Sequence, residues 1–149
     1  VQHYGYKYDY KARSITQDLR LGPIPDWLDG LCDRLHADSI FSTRPDQVII
    51  NEYQPGQGIT PHIDCIPCFG DTIASISIGS PCVMEFTHSG SNKKAIQLLE
   101  PRSLIVLEGD ARYKWQHSIP QRKADSWNGQ KFTRGRRISL TFRTVILEK

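Results

Sequence analysis

Apolar and polar residues alternate without a break from Arg137 to Arg143, in the order Arg-Ile-Ser-Leu-Thr-Phe-Arg. Side chains of a strand point to opposite faces in turn, so Ile138, Leu140 and Phe142 share one side, and Arg137, Ser139, Thr141 and Arg143 the other. Similar alternation or short apolar runs predict strands over Gln47 to Tyr53, Thr72 to Ile78, Cys82 to Thr87, Ile96 to Leu99, Ser103 to Leu107, Tyr113 to Ser118 and Arg137 to Ile146. Gly, Pro, Asn and Asp punctuate the gaps, and Ser89 to Lys94 reads as a hairpin loop. One segment has the helical period instead. After Pro25, the residues Trp27, Leu28, Leu31, Cys32 and Leu35 recur on one side of a helix that runs to about His36. Many short strands and one helix predict a mainly β fold, an antiparallel sandwich or jelly roll, with the helix covering a sheet.

A chain of 149 residues with 38% hydrophobic content is long enough for one buried core, and nothing divides it. The expected organisation is a lid strand and helix over residues 1–45 and a jelly-roll core over 46–149. No apolar run reaches membrane-spanning length and no charged-then-apolar leader is seen, which points to a monomer of the cytoplasm, or of the nucleus in a eukaryote. The four cysteines, Cys32, Cys65, Cys68 and Cys82, are too few for a disulfide-built scaffold, so a reducing compartment is expected. Cys65-Ile-Pro-Cys68 has neither a second pair at zinc-ribbon spacing nor an opening βαβ pattern, and is read as incidental, with oxidation close to a bound metal as the alternative. The net charge of +3 does not by itself imply a polyanionic partner. From Gln121 to Arg137, however, six basic residues stand against Asp125 alone. That stretch reads either as a phosphate-facing rim or as a solvated loop.

Candidate chemistry begins with the two arginines on one face. Burying two guanidinium forks without carboxylates is prohibitively costly, so this face lies in solvent or meets an anion with two carboxylate ends. A dicarboxylate cosubstrate is the sharper reading. His62 and Asp64 are also two apart, which aims both side chains one way in an extended segment, and His117 is the candidate third ligand. Two histidines and one carboxylate form the facial arrangement of non-heme Fe(II) oxygenases. Asn51 and Tyr53 share a face and can both hydrogen-bond a carboxylate; the alternative is a turn cap and a core tyrosine.

Taken together, Asn51-X-Tyr53, Pro55-Gly56, His62-X-Asp64, Ser75-X-Ser77-X-Gly79, the segment Gly109 to His117 and Arg137-X-Ser139-Leu-Thr-Phe-Arg143 stand in the order, and close to the spacings, of the AlkB family of Fe(II)/2-oxoglutarate dioxygenases. The chain resembles that family over essentially its whole length. Within it, Pro55 to Asp64, Val83-Met-Glu-Phe86 and Arg112-Tyr-Lys-Trp115 look most like the AlkB domain of the eukaryotic transfer-RNA wobble-uridine hydroxylase. That enzyme also carries RNA-recognition and methyltransferase domains, which these residues do not include.

The resemblance implies that His62, Asp64 and His117 hold Fe(II). It also implies that Arg137, with Tyr53 and Ser139, receives the distal carboxylate of 2-oxoglutarate, while Asn51 and Arg143 support the carboxylate next to the keto group. With O2 as second cosubstrate, the family converts 2-oxoglutarate to succinate and hydroxylates a substrate carbon. Where that carbon is bonded to a base nitrogen, the product releases an aldehyde, an oxidative demethylation. Two positions depart from the family's DNA-repair type. Ser139 stands where an Asn is usual, and Ile66 where an acidic residue associated with reading the target base is common.

Tyr4, Tyr6, Tyr8 and Tyr10 follow strand periodicity, and Gly5-Tyr6-X-Tyr8 looks like the family's nucleotide-recognition lid, in which an aromatic ring stacks on a flipped base. An edge strand packing tyrosines on the core is the alternative. Trp115, with Tyr113 and Trp127, belongs either to the same pocket or to the core. The substrate-contact candidates are therefore Tyr6, Tyr8, Ile66 and Trp115. The function expected from the resemblance is hydroxylation of an alkyl group on a base of single-stranded or flipped nucleic acid, as oxidative demethylation of alkylated DNA or RNA. The alternatives are a transfer-RNA-modifying hydroxylase, an oxygenase of protein or lipid, and a non-catalytic binding module, against which the intact motifs speak.

Overall fold

The alternating strand β11 (Arg137–Arg143) is central to the molecule, paired on one side with β2 (Gln47–Tyr53) and on the other with β4 (Ile73–Gly79). The structure is a computed structural model and describes residues 1–148. Two further strands, β1 (Gln2–Tyr4) and β7 (Ser103–Leu107), complete a five-stranded antiparallel sheet of order β1-β2-β11-β4-β7. A second sheet has the order β3-β8-β5-β6, from β3 (Ile59–His62), β8 (Trp115–Ile119), β5 (Cys82–His88) and β6 (Lys94–Leu99). Between β7 and β8 lies the short helix α2 (Asp110–Tyr113), and β9 (Ala124–Trp127) and β10 (Gln130–Thr133) form a separate hairpin. The fold is the expected jelly roll, with one long helix, α1 (Asp26–Ala37), on its outside.

Both faces of the larger sheet are covered, and the hydrophobic pattern decides which face meets what. Leu140 and Phe142 point outward into a cluster with Leu28, Cys32 and Leu35 of α1 and with Phe41, Val48 and Ala74. The helix thus covers the apolar side of β11. Its charges suit its dipole, with Asp26 and Asp29 in the first turn and Arg34 and His36 in the last. The polar residues of β11 therefore face inward, between the two sheets.

Several expected elements take different bounds. β3 was not anticipated because Ile-Thr-Pro-His is short and contains a proline, which a sheet tolerates at the edge position that β3 occupies. Tyr113 closes α2 and does not open a strand, and β11 stops at Arg143, with Val145 contributing a single bridge to Phe69. The tyrosines do not alternate along one strand. After Tyr4 the chain turns at Gly5, whose φ of +78° and close approach to the Asp46 carbonyl leave no room for a Cβ.

The stretch Gln121 to Arg137 contains a hairpin, and most of its arginines are ion-paired. Asn128 and Gly129, with φ of 50° and 77°, make the tight turn between β9 and β10. Buried Asp125 then draws the arginines inward: Arg134 donates to both its oxygens at 2.6 and 2.9 Å, and Arg122 to Oδ1 at 2.7 Å. Arg136 is paired with Glu52 of β2. Of the segment's cations before Arg137, Lys123 and Lys131 alone lack an ion pair among the described residues. Replacing Asp125 by Ala is expected to cost about 3–5 kcal/mol, because Arg134 is left buried and uncompensated. Urea denaturation measures this; a loss below about 1 kcal/mol would show that the triad is not integral to the fold.

Candidate active site

The inward row of the larger sheet is polar because register aligns it strand by strand. Arg137 lies opposite Tyr53, Ser139 opposite both Asn51 and Ser77, and Thr141 opposite Ser75. Across the gap, β3 and β8 place His62 directly opposite His117. Between these walls is a cavity of about 280 Å³, lined by His62, Asp64 and His117, by Asn51, Tyr53, Arg137, Ser139 and Arg143, and by apolar Ile49, Met84, Ile105 and Ile119.

At one end the three candidate ligands converge. Nε2 of His62 lies 3.2 Å and Nε2 of His117 3.4 Å from the same oxygen, Oδ1, of Asp64. Ligand atoms about 2.1 Å from a common ion and at right angles are separated by about 3 Å, so the two carboxylate–imidazole separations suit a shared ion, and all three ligand atoms lie within 4.8 Å of one another. Surrounding groups fix their roles. Nδ1 of His62 is 2.9 Å from the Thr60 carbonyl, which assigns its proton to that nitrogen and turns Nε2 inward. Arg143 donates Nη1 to Oδ2 of Asp64 at 2.9 Å and Nε to Gln47 at 3.0 Å, leaving Oδ1 for the histidines. Burial alone would raise the Asp64 carboxyl, but the histidine contacts and the Arg143 charge outweigh it and hold it well below the ordinary range. The bond to Asp64 raises His62. Two imidazoles on one buried carboxylate make a site for a shared cation.

At the other end Arg137 is a cation without an anion. It is 5% exposed; Nη2 donates to Ser77 at 3.0 Å, Nε has no partner, and no carboxylate pairs with it among the described residues. The Tyr53 ring stands 5.4 Å from its guanidinium carbon. Burial pushes the Tyr53 phenol up, so it keeps its proton as a donor. A buried guanidinium with an idle N–H lining a cavity fits an incoming carboxylate, and the hydroxyls of Tyr53 and Ser139 can complete its seat. The residues present therefore suit both a divalent metal and a dicarboxylate such as 2-oxoglutarate.

A mouth of about 550 Å³ opens onto the same metal end, sharing Tyr10, His62, Asp64 and Arg143 with the inner cavity. Of the expected substrate contacts, Tyr8 borders it but is buried, edge-on to Phe69 at 5.3 Å. Tyr6 packs against the same apolar cluster, Ile66 is exposed but lines neither cavity, and Trp115 packs on His88 at 5.1 Å away from both. The exposed aromatic in the mouth is Tyr10, 61% exposed with its ring edge-on to Tyr8 at 4.8 Å, and beside it is exposed Arg13. Both were missed: Tyr10 belongs to the tyrosine series, but its position depends on the turn at Gly5. Cys65 and Cys68, read as incidental, are joined in a disulfide immediately after Asp64.

A jelly roll whose two sheets enclose two histidines and a carboxylate defines a mononuclear metal site with open positions, the architecture of non-heme iron oxygenases. The family model of the 2OG-Fe(II) oxygenase superfamily matches residues 1–143. An uncharacterized protein of Acanthamoeba polyphaga mimivirus is 41% identical over all of this chain and 71% of its own length. The "Alkylated DNA repair protein ALKBH8 homolog" of Arabidopsis thaliana is 37% identical over 97% of this chain. The "tRNA (carboxymethyluridine(34)-5-O)-methyltransferase ALKBH8" of Macaca fascicularis is 36% identical over the same share. The chain spans 49% and 24% of those two proteins. Among solved structures, "The structure of OsALKBH1" covers 96% of this chain, and 76% of its own, with a TM-score of 0.68 at 19% identity, a likeness of fold. The chain belongs to the AlkB family of Fe(II)/2-oxoglutarate oxygenases and is a dioxygenase.

Proposed function

We propose that the chain hydroxylates a substituent on a nucleic-acid base, with Fe(II) held by His62, Asp64 and His117. The observation that carries this reading is the pairing, within one cavity, of the three converging ligand atoms with the anion-free guanidinium of Arg137. Iron, 2-oxoglutarate and O2 supply the oxidising power, and the cosubstrate leaves as succinate. Arg137 binds the distal carboxylate, with Tyr53 and Ser139 donating to it, and Asn51 lines the path toward the metal. Arg143 holds Asp64 so that one oxygen faces the metal; that task takes precedence over supporting the cosubstrate's inner carboxylate. The apolar side chains Met84, Ile105 and Ile119 line the cavity between the sheets and limit water around the cosubstrate.

For the substrate, Tyr10 offers a ring on which a base can stack and Arg13 a cation for a neighbouring phosphate. Transfer RNA comes first, because the Macaca relative is named for a carboxymethyluridine at position 34 of tRNA. The methyl transfer in that name is not carried over, since the chain spans 24% of that protein. Repair of alkylated DNA is the second reading, favoured by the name of the Arabidopsis relative.

Mass spectrometry of total transfer RNA and of methylated DNA oligonucleotides, after incubation with Fe(II), ascorbate and 2-oxoglutarate in air, tests the proposal. A base gaining one oxygen or losing an alkyl group supports it; unchanged nucleic acids beside an oxidised protein or lipid extract would overturn it. Replacing Tyr10 by Ala should then slow base oxidation about 5- to 150-fold, the equivalent of the roughly 1–3 kcal/mol of one stacking contact. Turnover of 2-oxoglutarate without substrate should stay within about twofold of wild type. Equal losses in both would return Tyr10 to a structural role.

A further inference from the structure

We infer that Arg112 is a positioning residue for the metal carboxylate, acting through the main chain of the loop that carries Asp64. The inference rests on the reading of His62, Asp64 and His117 as metal ligands. Arg112 lies on α2, yet it is turned inward and only 2% exposed. No carboxylate pairs with it among the described residues. Its whole fork is spent on backbone carbonyls of one short loop: Nη1 donates to Asp64 at 2.7 Å, Nη2 to Cys65 at 3.3 Å and Phe69 at 3.2 Å, and Nε to Gly70 at 3.0 Å. A buried cation satisfied by carbonyl dipoles and one aromatic face, the Tyr113 ring 4.8 Å from its guanidinium carbon, is costly to keep, and an ordinary apolar residue would fill the same space without that cost. What the fork supplies instead is geometry, since its fixed plane of donors specifies where four carbonyls sit.

Asp64 is in this way held from both ends. Arg143 fixes its Oδ2 and Arg112 its main-chain carbonyl, which leaves Oδ1 aimed at the two histidines. The segment from Asp64 to Gly70 belongs to no strand or helix; its internal ties are two turn hydrogen bonds to the Cys65 carbonyl and the Cys65–Cys68 disulfide, and none of these reaches Asp64 itself. Arg112 also stands five residues before His117 on the segment that leads into β8. One short stretch thus carries both the third ligand and the clamp on the carboxylate.

The test is Mn(II) binding, by calorimetry and by electron paramagnetic resonance of the bound ion, in wild type, Arg112→Met and Arg112→Lys. Loss of groups that orient metal ligands costs about 10- to 100-fold in affinity. The Met variant is expected to fall in that range with an altered resonance of the bound ion, and the Lys variant, which restores a charge but not the fork, to lie between it and wild type. If the Met variant does not fold, the Lys variant decides, with a several-fold weaker Kd expected. Asp125→Ala, destabilised at a residue outside both cavities, should bind Mn(II) within about twofold of wild type, which separates positioning from stability. Folded Arg112 variants that bind within twofold of wild type, with an unchanged resonance, would overturn the inference. Failure of wild type to bind Mn(II) would instead remove the metal reading, and the inference with it.

Discussion

Replacing Asp64 by Ala is expected to abolish stoichiometric Mn(II) or Fe(II) binding, with affinity falling at least about 100-fold. Two neutral imidazoles remain, but the sole anionic ligand is gone, and the buried Arg143 then presents an uncompensated positive charge to the incoming ion. The loss should therefore exceed that of His62→Ala, which removes one neutral and half-exposed ligand. Titration calorimetry with Mn(II) under oxygen-free conditions reads both. Wild-type affinity in the Asp64 variant would sink the assignment of the site.

The second large effect falls on the cosubstrate. Arg137→Ala is expected to raise the KM for 2-oxoglutarate about 100-fold, since a buried charge-assisted fork supplies roughly 3 kcal/mol and nothing else in the cavity offers a second cation at that end. Arg137→Lys should recover only part of this, because a point charge does not reproduce two parallel donors. Metal affinity should change little in either. Stability should move the other way: Arg137 is a buried cation without an anion, so Arg137→Met should leave the ligand-free protein as stable as wild type, or more so. An unchanged KM in Arg137→Ala would show that the carboxylate is seated elsewhere.

The alternation of β11 could be read without the fold, because a period of two puts Arg137 and Arg143 on one face whatever surrounds them. What it left open was which face lies inside. In a sheet covered on both sides polarity is no guide, and here the polar face lines the cavity while Leu140 and Phe142 lie under α1. The convergence of the three candidate ligands has a similar origin: His62 and Asp64 are two apart in sequence, and His117 lies opposite His62 on the strand that pairs with β3. Asn128-Gly129 is a strong hairpin signal, but a charge count over the segment hid it. That count also failed to see Asp125 drawing Arg122 and Arg134 inward, a capture that depends on the hairpin folding against Val83 of β5. Arg112 could not have been found at all from side-chain patterns, since its partners are backbone carbonyls. Tyr10 and Arg13 owe their places to the turn at Gly5 and to an irregular loop, where periodicity carries no information.

The most direct measurement is a crystal structure grown without oxygen in the presence of Mn(II) and 2-oxoglutarate. The metal should lie between His62 Nε2, His117 Nε2 and Asp64 Oδ1, with the keto end of the cosubstrate on the metal and its distal carboxylate on Arg137, Tyr53 and Ser139. A metal held by other residues, or a carboxylate bound away from Arg137, would contradict the assignment of this cavity.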